Sequence, residues 1–193
     1  MKAEDWDEKY AATPELWGRG PNAFLRQQLA EVPPGVAVDL ACGEGRNAAW
    51  LGERGWSVTG VDFSPVAIEQ AARRPVGVEW VCADVTTWQP RATPLDLVLI
   101  AYLHLPMPEL AGVLRRAASW LAEGGRLLYL GHARSNLRRG VGGPPDAGVL
   151  PDIADLGAAT DGLRVDVLRH LHRETDAGTA IDILLDATRW PTA

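Results

Sequence analysis

The chain has 193 residues and a formal net charge of −6, from 19 Lys and Arg against 25 Asp and Glu. Its length suits one domain, and 47% hydrophobic with 23% charged residues is a globular rather than a disordered composition. Lys2 and Lys9 are the only lysines, which excludes a P-loop lysine or a pyridoxal phosphate lysine deep in the chain. The acidic charge argues against nucleic acid, so a small molecule is the predicted partner.

Membrane association and a disulfide scaffold are not expected either. The longest apolar run, 97–103, is far shorter than the ~18–20 residues of a membrane helix. The acidic N-terminus lacks a secretory signal pattern, so the predicted location is cytoplasmic. Cys42 and Cys82 have no C-x-x-C spacing and are predicted to be free thiols. His170 and His172 lack a third ligand nearby, so no metal site is expected.

Helical and strand-like segments alternate along most of the chain. Residues 1–34 form an N-terminal segment in which Asn22 is predicted to cap a helix that ends at Pro33-Pro34. Ser64-Pro65 predicts the start of a second helix, and apolar spacing from Leu110 predicts a third, which Gly124-Gly125 would end. Short apolar runs predict buried parallel strands at 36–41, 56–61, 78–81, 95–101 and 126–131.

This alternation predicts an α/β fold with a doubly wound, mostly parallel, Rossmann-like sheet in a single domain, 1–193. The last two β-rich runs, 163–171 and 180–188, flank a turn at 174–178 and predict a C-terminal antiparallel hairpin, giving seven strands. Residues 135–150 are rich in Gly and Pro and predict a mobile loop that covers substrate, with a plain disordered insertion as the alternative.

A glycine-rich turn follows the first predicted strand. The stretch 38–48 reads Val-Asp-Leu-Ala-Cys-Gly-Glu-Gly-Arg-Asn-Ala, and Gly43 and Gly45 permit a tight turn beside the start of a helix. This pattern alone also fits a dinucleotide site, in which Asp62, 19 residues after Gly43, would bind ribose hydroxyls.

Three carboxylates favour a different nucleotide. Asp39 lies inside the first strand, where it suits a cationic amino-acid group better than a pyrophosphate. Asp62 ends the second strand and is predicted to accept from two ribose hydroxyls. Asp84 follows the third strand and is predicted to accept from an adenine amino group. S-adenosylmethionine, a sulfonium nucleoside that carries an amino acid, fits this pattern better than a diphosphate.

Four segments resemble, in their order and spacing, the motifs of class I S-adenosylmethionine-dependent methyltransferases. They are 38–47, 60–65 (Gly-Val-Asp-Phe-Ser-Pro), 83–85 (Ala-Asp-Val) and 95–100 (Leu-Asp-Leu-Val-Leu-Ile). The nearest subgroup is the small tellurite-resistance and thiopurine methyltransferase-like proteins, on the Gly-x-Gly-Arg-Asn turn, Trp6-Asp7-x-x-Tyr10, Trp17 and Leu171-His172-Arg173. The resemblance implies that the N-terminal segment covers the cofactor, that the second strand lies between the first and third, and that His172 and Arg173 lie near substrate. The tellurite enzymes carry a basic residue near the position of Ala180, which argues against tellurite itself.

The predicted cofactor-binding residues are therefore Tyr10, Trp17, Asp39, Ala41, Gly43, Gly45, Asn47, Asp62, Phe63, Ala83, Asp84, Val85 and Ala101. A thiol or other soft nucleophile is the preferred acceptor, because its anion is accessible near neutral pH without a strong base. For an oxygen or nitrogen acceptor, His104 is the predicted base, with Tyr102 shaping the site and His132 as the second candidate. Two alternatives remain open at this stage: a nicotinamide-dependent oxidoreductase, and a regulator that binds S-adenosylmethionine without turnover.

Overall fold

The computed structural model describes residues 3–74 and 76–191. Its strands form a seven-stranded sheet in the order β3-β2-β1-β4-β5-β7-β6. Strand β2 is parallel to β1 and β3, β4 is parallel to β5, and β7 is antiparallel to both β5 and β6. The predicted doubly wound, mostly parallel Rossmann-like sheet with a C-terminal hairpin is confirmed, as is the position of β2 between β1 and β3. The chain divides into two compact units, Met1–Arg91 and Ala92–Ala193.

The first unit contains four helices and three parallel strands among its described residues. They are α1 (Ala3–Ala12), α2 (Ala23–Leu29), β1 (Val36–Leu40), α3 (Arg46–Glu53), β2 (Ser57–Asp62), α4 (Pro65–Ala71) and β3 (Val78–Cys82). Asn22 caps α2 by accepting from the amides of Phe24 and Leu25. The Ser64 side chain caps α4 by accepting from the Ala67 amide, and Pro65 occupies the first helical position. Helix α1 is the element of this unit that the sequence patterns did not predict.

The second unit contains the remaining strands and helices. They are β4 (Leu95–Ala101), α5 (Met107–Trp120), β5 (Leu121–His132), α6 (Asn136–Arg139), a 3-10 turn (Ala147–Val149), α7 (Ile153–Ala159), β6 (Leu163–Thr175) and β7 (Gly178–Arg189). Leu110, Val113, Leu114 and Ala117 form the buried face of α5, as their spacing predicts. The hairpin strands are longer than predicted and meet at a two-residue turn, Asp176-Ala177.

Gly124 and Gly125 do not end a helix, because α5 stops at Trp120 and β5 begins at the next residue. Leu121 pairs with Leu95, and the register then shifts so that Arg126 pairs with Leu97. The two glycines fit this irregularity: Gly124 has φ +75°, and a Cβ on Gly125 would lie 2.7 Å from the Leu95 carbonyl oxygen. Pairing with β4 therefore decides where the strand begins, which local patterns do not reveal.

The structure also bears on three smaller expectations. Cys42 and Cys82 are free cysteines, the first buried and the second exposed. Residues 135–150 contain α6 and the 3-10 turn, while the mobility proposed for them stays a prediction. Among the described residues, no helix is long and apolar enough to cross a membrane.

Candidate functional site

The turn after β1 has an unusual backbone. Ala41, Gly43 and Gly45 have φ values of +58°, +54° and +76°, a region that residues with a side chain enter uncommonly. A Cβ on Gly43 would lie 2.8 Å from the Tyr10 hydroxyl, and one on Gly45 would lie 2.3 Å from the Trp80 ring. The glycines are therefore needed both for the turn and for the close approach of its neighbours, immediately before α3 begins.

Asp62 at the end of β2 holds this turn. One carboxylate oxygen accepts from the Gly43 amide at 2.8 Å and the other accepts from the Ser64 amide at 2.9 Å. The side chain is buried, and burial raises the pKa of Asp62, although the amides of Ser64 and Gly43 favour its ionised form. The Phe63 amide also favours the ionised form, and a carboxylate with about four acceptor sites retains capacity for a ligand.

The N-terminal segment lies on the same turn. Tyr10 is buried, and its ring stacks on Trp6 with centroids 5.7 Å apart. Arg46 donates to the carbonyl oxygen of Trp17, so the first residue of α3 holds the segment. Asn47 contributes in the same way, because its side-chain oxygen accepts from the Asn22 amide at 3.0 Å.

The remaining predicted cofactor residues of the first unit lie at the ends of its strands. Asp39 is fully buried, and burial, opposed in part by the Ala48 amide, raises its pKa to about 8. Phe63 is 37% exposed next to Asp62. Asp84 is exposed and accepts from the Thr86 amide at 2.8 Å, while Ala83 donates its amide to the Asp62 carbonyl oxygen and Val85 is buried. The structure thus groups Tyr10, Trp17, Gly43, Gly45, Asn47 and Asp62 around one turn.

A second cluster of polar side chains lies in the other unit, around Asp182 of β7. Asp182 is fully buried. Its carboxylate accepts from the Tyr102 hydroxyl at 2.8 Å and from Arg173 Nε at 2.8 Å, and it lies 3.1 Å from His132 Nδ1. The rings of His104 and His132 stack with centroids 5.6 Å apart. The cluster combines a cation, an anion, a phenol and two imidazoles.

Backbone strain marks the same place. Tyr102 follows β4 with φ +57°, which is rare for an aromatic residue and which persists where surrounding contacts enforce it. Its amide donates to the Leu130 carbonyl oxygen, and its hydroxyl donates to Asp182. Such strain is frequent at functional sites. Ala101, also predicted to contact cofactor, is the last residue of β4.

Burial and charge set the protonation of this cluster. The pKa of His104 is lowered to about 4, mainly by burial and to a smaller extent by the neighbouring His132. Burial and the Asp182 charge raise the pKa of Tyr102. Burial opposes ionisation of Asp182, yet its close contacts with His132, Arg173 and Tyr102 together hold the pKa of that carboxyl below its usual value. At neutral pH, His104 is therefore uncharged, Tyr102 is a phenol and Asp182 is a carboxylate.

Not every predicted residue joins this cluster. His172 is exposed and alternates with Leu171 and Arg173 along β6, so it lies on the other face of the strand. The patterns missed Asp182 entirely. The signal available was a carboxylate within the otherwise apolar run Ile181-Asp182-Ile183-Leu184-Leu185 of a strand that is buried on both faces.

The chain is similar to known methyltransferases. Residues 37–125 match the model of a family described as a methyltransferase domain. The trans-aconitate 2-methyltransferase of Methylobacterium radiotolerans is 32% identical over 208 aligned positions, which cover 92% of this chain and 77% of that protein. Other curated relatives of the same name are matched over only about half of their length, at 42% and 54%.

Solved structures agree on the fold. The N-methyltransferase NodS of Bradyrhizobium japonicum, in complex with S-adenosyl-L-homocysteine, has a TM-score of 0.75 at 18% identity, covering 98% of this chain and 99% of that one. TehB of Haemophilus influenzae has a TM-score of 0.73 at 16% identity, covering 98% of this chain and 68% of that one. At these identities the likeness concerns the fold alone.

Proposed function

Because the chain belongs to the S-adenosylmethionine-dependent methyltransferases, we propose that it methylates a small acid whose reacting group is already an anion at neutral pH. The observation that carries this proposal is the cluster around Asp182. It presents the guanidinium of Arg173, while the histidine predicted as the base, His104, has a pKa of about 4. An acceptor that must lose a proton is therefore served poorly, and an anionic acceptor is served well.

The first unit has the features that the cofactor requires. Gly43 permits the positive-φ turn against which Tyr10 packs, and the Asp62 carboxylate beside it retains acceptor capacity for a ribose hydroxyl. Phe63 offers a partly exposed ring to a nucleobase. Tyr10 and Trp17 would cover the bound molecule. Asp39, Ala41, Gly45, Asn47, Ala83, Asp84 and Val85 complete our assignment in this unit.

When bound, S-adenosylmethionine supplies a methyl group on a positively charged sulfur, which keeps the electron pair of the broken bond as the methyl group moves to an acceptor lone pair. The residues of the chain then need only bind, orient and exclude water. Arg173 is suited to hold an acceptor carboxylate, because Asp182 fixes one edge of its guanidinium and leaves other N–H donors for a ligand. Its side chain is 32% exposed.

A carboxylate is the acceptor that we favour, since the curated relatives act on trans-aconitate, which carries carboxylates. A thiol is the second candidate, because a thiolate is also an anion near neutral pH and the weak basicity of His104 suits it equally. His172 stays a predicted contact to substrate, although it lies on the face of β6 opposite to Arg173.

The test is methyl transfer from labelled S-adenosylmethionine to matched panels of mono-, di- and tricarboxylic acids and of thiols. A methyl ester releases volatile methanol in base, whereas a methyl thioether does not, so the label identifies the atom methylated. We expect base-labile product with polycarboxylic acids. Base-stable product from thiols alone would replace our acceptor with the second candidate, and cofactor binding without any product would favour a regulator.

The variant Arg173→Gln provides a second test of the proposed function. Loss of a hydrogen bond to a charged group costs about 1.5–3 kcal/mol, so we expect the KM for the acid to rise about tenfold to hundredfold with unchanged cofactor affinity. Arg164→Gln is the matched control, since Arg164 lies on the same strand and pairs with Asp166 outside the cluster. Equal effects of the two variants would remove Arg173 from the acceptor site.

A further inference from the structure

Strand β7 extends beyond its neighbour β5 at the end next to Asp182. Strand β5 stops at His132, which pairs with Asp182, whereas β7 begins four residues earlier in the sequence, at Gly178. The backbone groups that β7 directs toward this side need other partners, because a buried N–H or C=O group without a hydrogen bond is costly. Ile181 is buried, so its N–H and C=O groups in particular must be satisfied.

The chain that follows β5 supplies these partners. The Ala133 amide donates to the Ile181 carbonyl oxygen at 3.0 Å, and the Val141 amide donates to the Thr179 carbonyl oxygen at 3.2 Å. The side-chain oxygen of Asn136 accepts from the Ile181 amide at 2.7 Å. These three bonds continue the edge of the sheet without a strand, so this part of the loop is attached to β7.

Asn136 also closes the turn that follows it. The side chain is buried, and its Nδ2 donates to the carbonyl oxygens of Val141 and Gly142 at 3.3 and 2.8 Å. A Cβ on Gly140 would lie 1.9 Å from Asn136 Oδ1, so the turn leaves no room for a side chain there. Only this orientation of the amide suits all three partners, because the Ile181 N–H needs an acceptor and the two carbonyls need a donor.

The turn that Asn136 holds packs against the second polar cluster. A Cβ on Gly143 would lie 2.9 Å from the His132 ring, so the backbone of the turn contacts that ring. The His132 ring in turn stacks on His104 at 5.6 Å and meets Tyr102 edge-on at 5.3 Å between centroids. The position of the turn therefore sets the space available to three rings of the cluster.

The far end of the loop is held separately. Arg134 donates to the Leu150 carbonyl oxygen at 3.1 Å and to Asp152 at 2.8 Å, and its amide donates to the Pro151 carbonyl oxygen at 2.9 Å. The loop is thus tied at its end by Arg134 and in its first half by Asn136. Residues 144–149 lie between these two attachments.

We propose that Asn136 is a positioning residue of the acceptor site, which fixes residues 136–143 as a rigid wall and so holds the rings of the cluster in place before an acceptor binds. This rests on the proposed function for the nature of the acceptor. On this proposal, the mobility predicted for 135–150 is confined to 144–149, and acceptor binding requires no closure of the wall. A site that is already ordered does not lose conformational entropy again when its ligand binds.

The first test concerns the rigidity of the wall and needs no acceptor. Hydrogen exchange of single backbone amides is measured by NMR in the apoprotein. We expect the amides of Gly140, Val141 and Ile181 to exchange at least about a hundredfold more slowly than in an unstructured peptide, because each is hydrogen-bonded within the wall or to it. Exchange of the Gly140 and Val141 amides at the peptide rate would indicate a mobile lid and overturn the proposal, even if no variant folds.

The second test uses Asn136→Asp. This variant keeps an oxygen for the Ile181 amide but places a second oxygen, which cannot donate, beside the carbonyls of Val141 and Gly142. We expect the Val141 amide to exchange faster and the KM for the acid to rise about threefold to tenfold, the equivalent of one misplaced hydrogen bond. The affinity for S-adenosylhomocysteine, measured by calorimetry, and kcat should change little, whereas a purely structural role would lower stability without raising this KM.

Asp146→Ala is the matched control. Asp146 lies in the same loop but outside the wall, where it accepts from the Gly148 amide at 2.8 Å and caps the 3-10 turn. It should leave both the KM and the exchange of the Val141 amide unchanged. Equal KM values in the two variants, or an unchanged KM in Asn136→Asp despite faster exchange, overturn the positioning role. If no acid is methylated at all, the proposed function fails, while the exchange rates still decide whether the wall is rigid.

Discussion

Removing the Asp62 carboxylate tests the cofactor site most directly. Asp62→Asn keeps the shape of the side chain but replaces one acceptor oxygen by an NH2 group, which cannot accept from a backbone amide. The wild-type carboxylate accepts from Gly43 and Ser64 at 2.8 and 2.9 Å. The variant therefore loses one of these bonds and also the negative charge that would bind a ribose hydroxyl.

The magnitude has two parts. An unpaired buried amide costs about 1–3 kcal/mol of folding stability. A hydrogen bond to a charged group contributes about 1.5–3 kcal/mol, which corresponds to an affinity loss of about tenfold to hundredfold for each ribose contact. We therefore expect Asp62→Asn to weaken S-adenosylhomocysteine binding at least tenfold, and Asp62→Ala to weaken it at least as much.

The variant Asp7→Asn separates the loss of folding stability from the loss of cofactor affinity. Asp7 of α1 accepts from the Ser64 hydroxyl and from the Val66 amide at 3.3 Å, so its loss disturbs the start of α4 without removing a predicted cofactor ligand. Thermal unfolding should show that both variants lose stability, and calorimetry should show that only Asp62→Asn loses affinity. Unchanged affinity in Asp62→Asn, or an equal loss in Asp7→Asn, would refute the assignment of Asp62 to the ribose.

Two further predictions concern the loop and the buried acid. The variant Gly143→Ala places a Cβ 2.9 Å from the His132 ring, whereas the Cβ of Gly142→Ala, also at positive φ, meets nothing within 4 Å. Backbone strain should lower the folding stability of each variant by about 1–2 kcal/mol, measured by thermal unfolding. Only Gly143→Ala should also raise the KM for the acceptor. An equal KM in both would contradict the packing argument. Asp39 has a folded pKa of about 8 against an unfolded value near 3.8, so the folded state binds the extra proton between these values and stability falls as pH rises through the window. Apoprotein melts from pH 5 to 8.5 should show this fall in the wild type and a smaller one in Asp39→Asn; parallel curves would show that Asp39 titrates normally.

Apart from α1, the strands and helices of the first unit could be predicted from the amino-acid sequence because their signals are local. The glycine turn and the Ser-Pro helix start are each recognised within a few residues, and the carboxylate 19 residues after Gly43 is recognised by its spacing. The alternation of strands and helices then restricts the topology. The hairpin was predicted for the same reason, since its turn residues lie between two β-rich runs. Most strand ends differ from the prediction by at most two residues, but β5 begins five residues earlier and β6 ends four residues later, because hydrogen bonding to neighbours decides where pairing stops.

The tertiary structure alone decided the second cluster. Tyr102 and Asp182 are 80 residues apart and His132 and Asp182 are 50 apart, yet strand register brings them to one carboxylate. A one-residue slip of β7 would turn Asp182 to the opposite face, and no local pattern fixes that register. Burial then sets the chemistry, since it removes basicity from His104 while three partners keep Asp182 ionised. The residue types were visible in the sequence, but their protonation and their partners depend on packing.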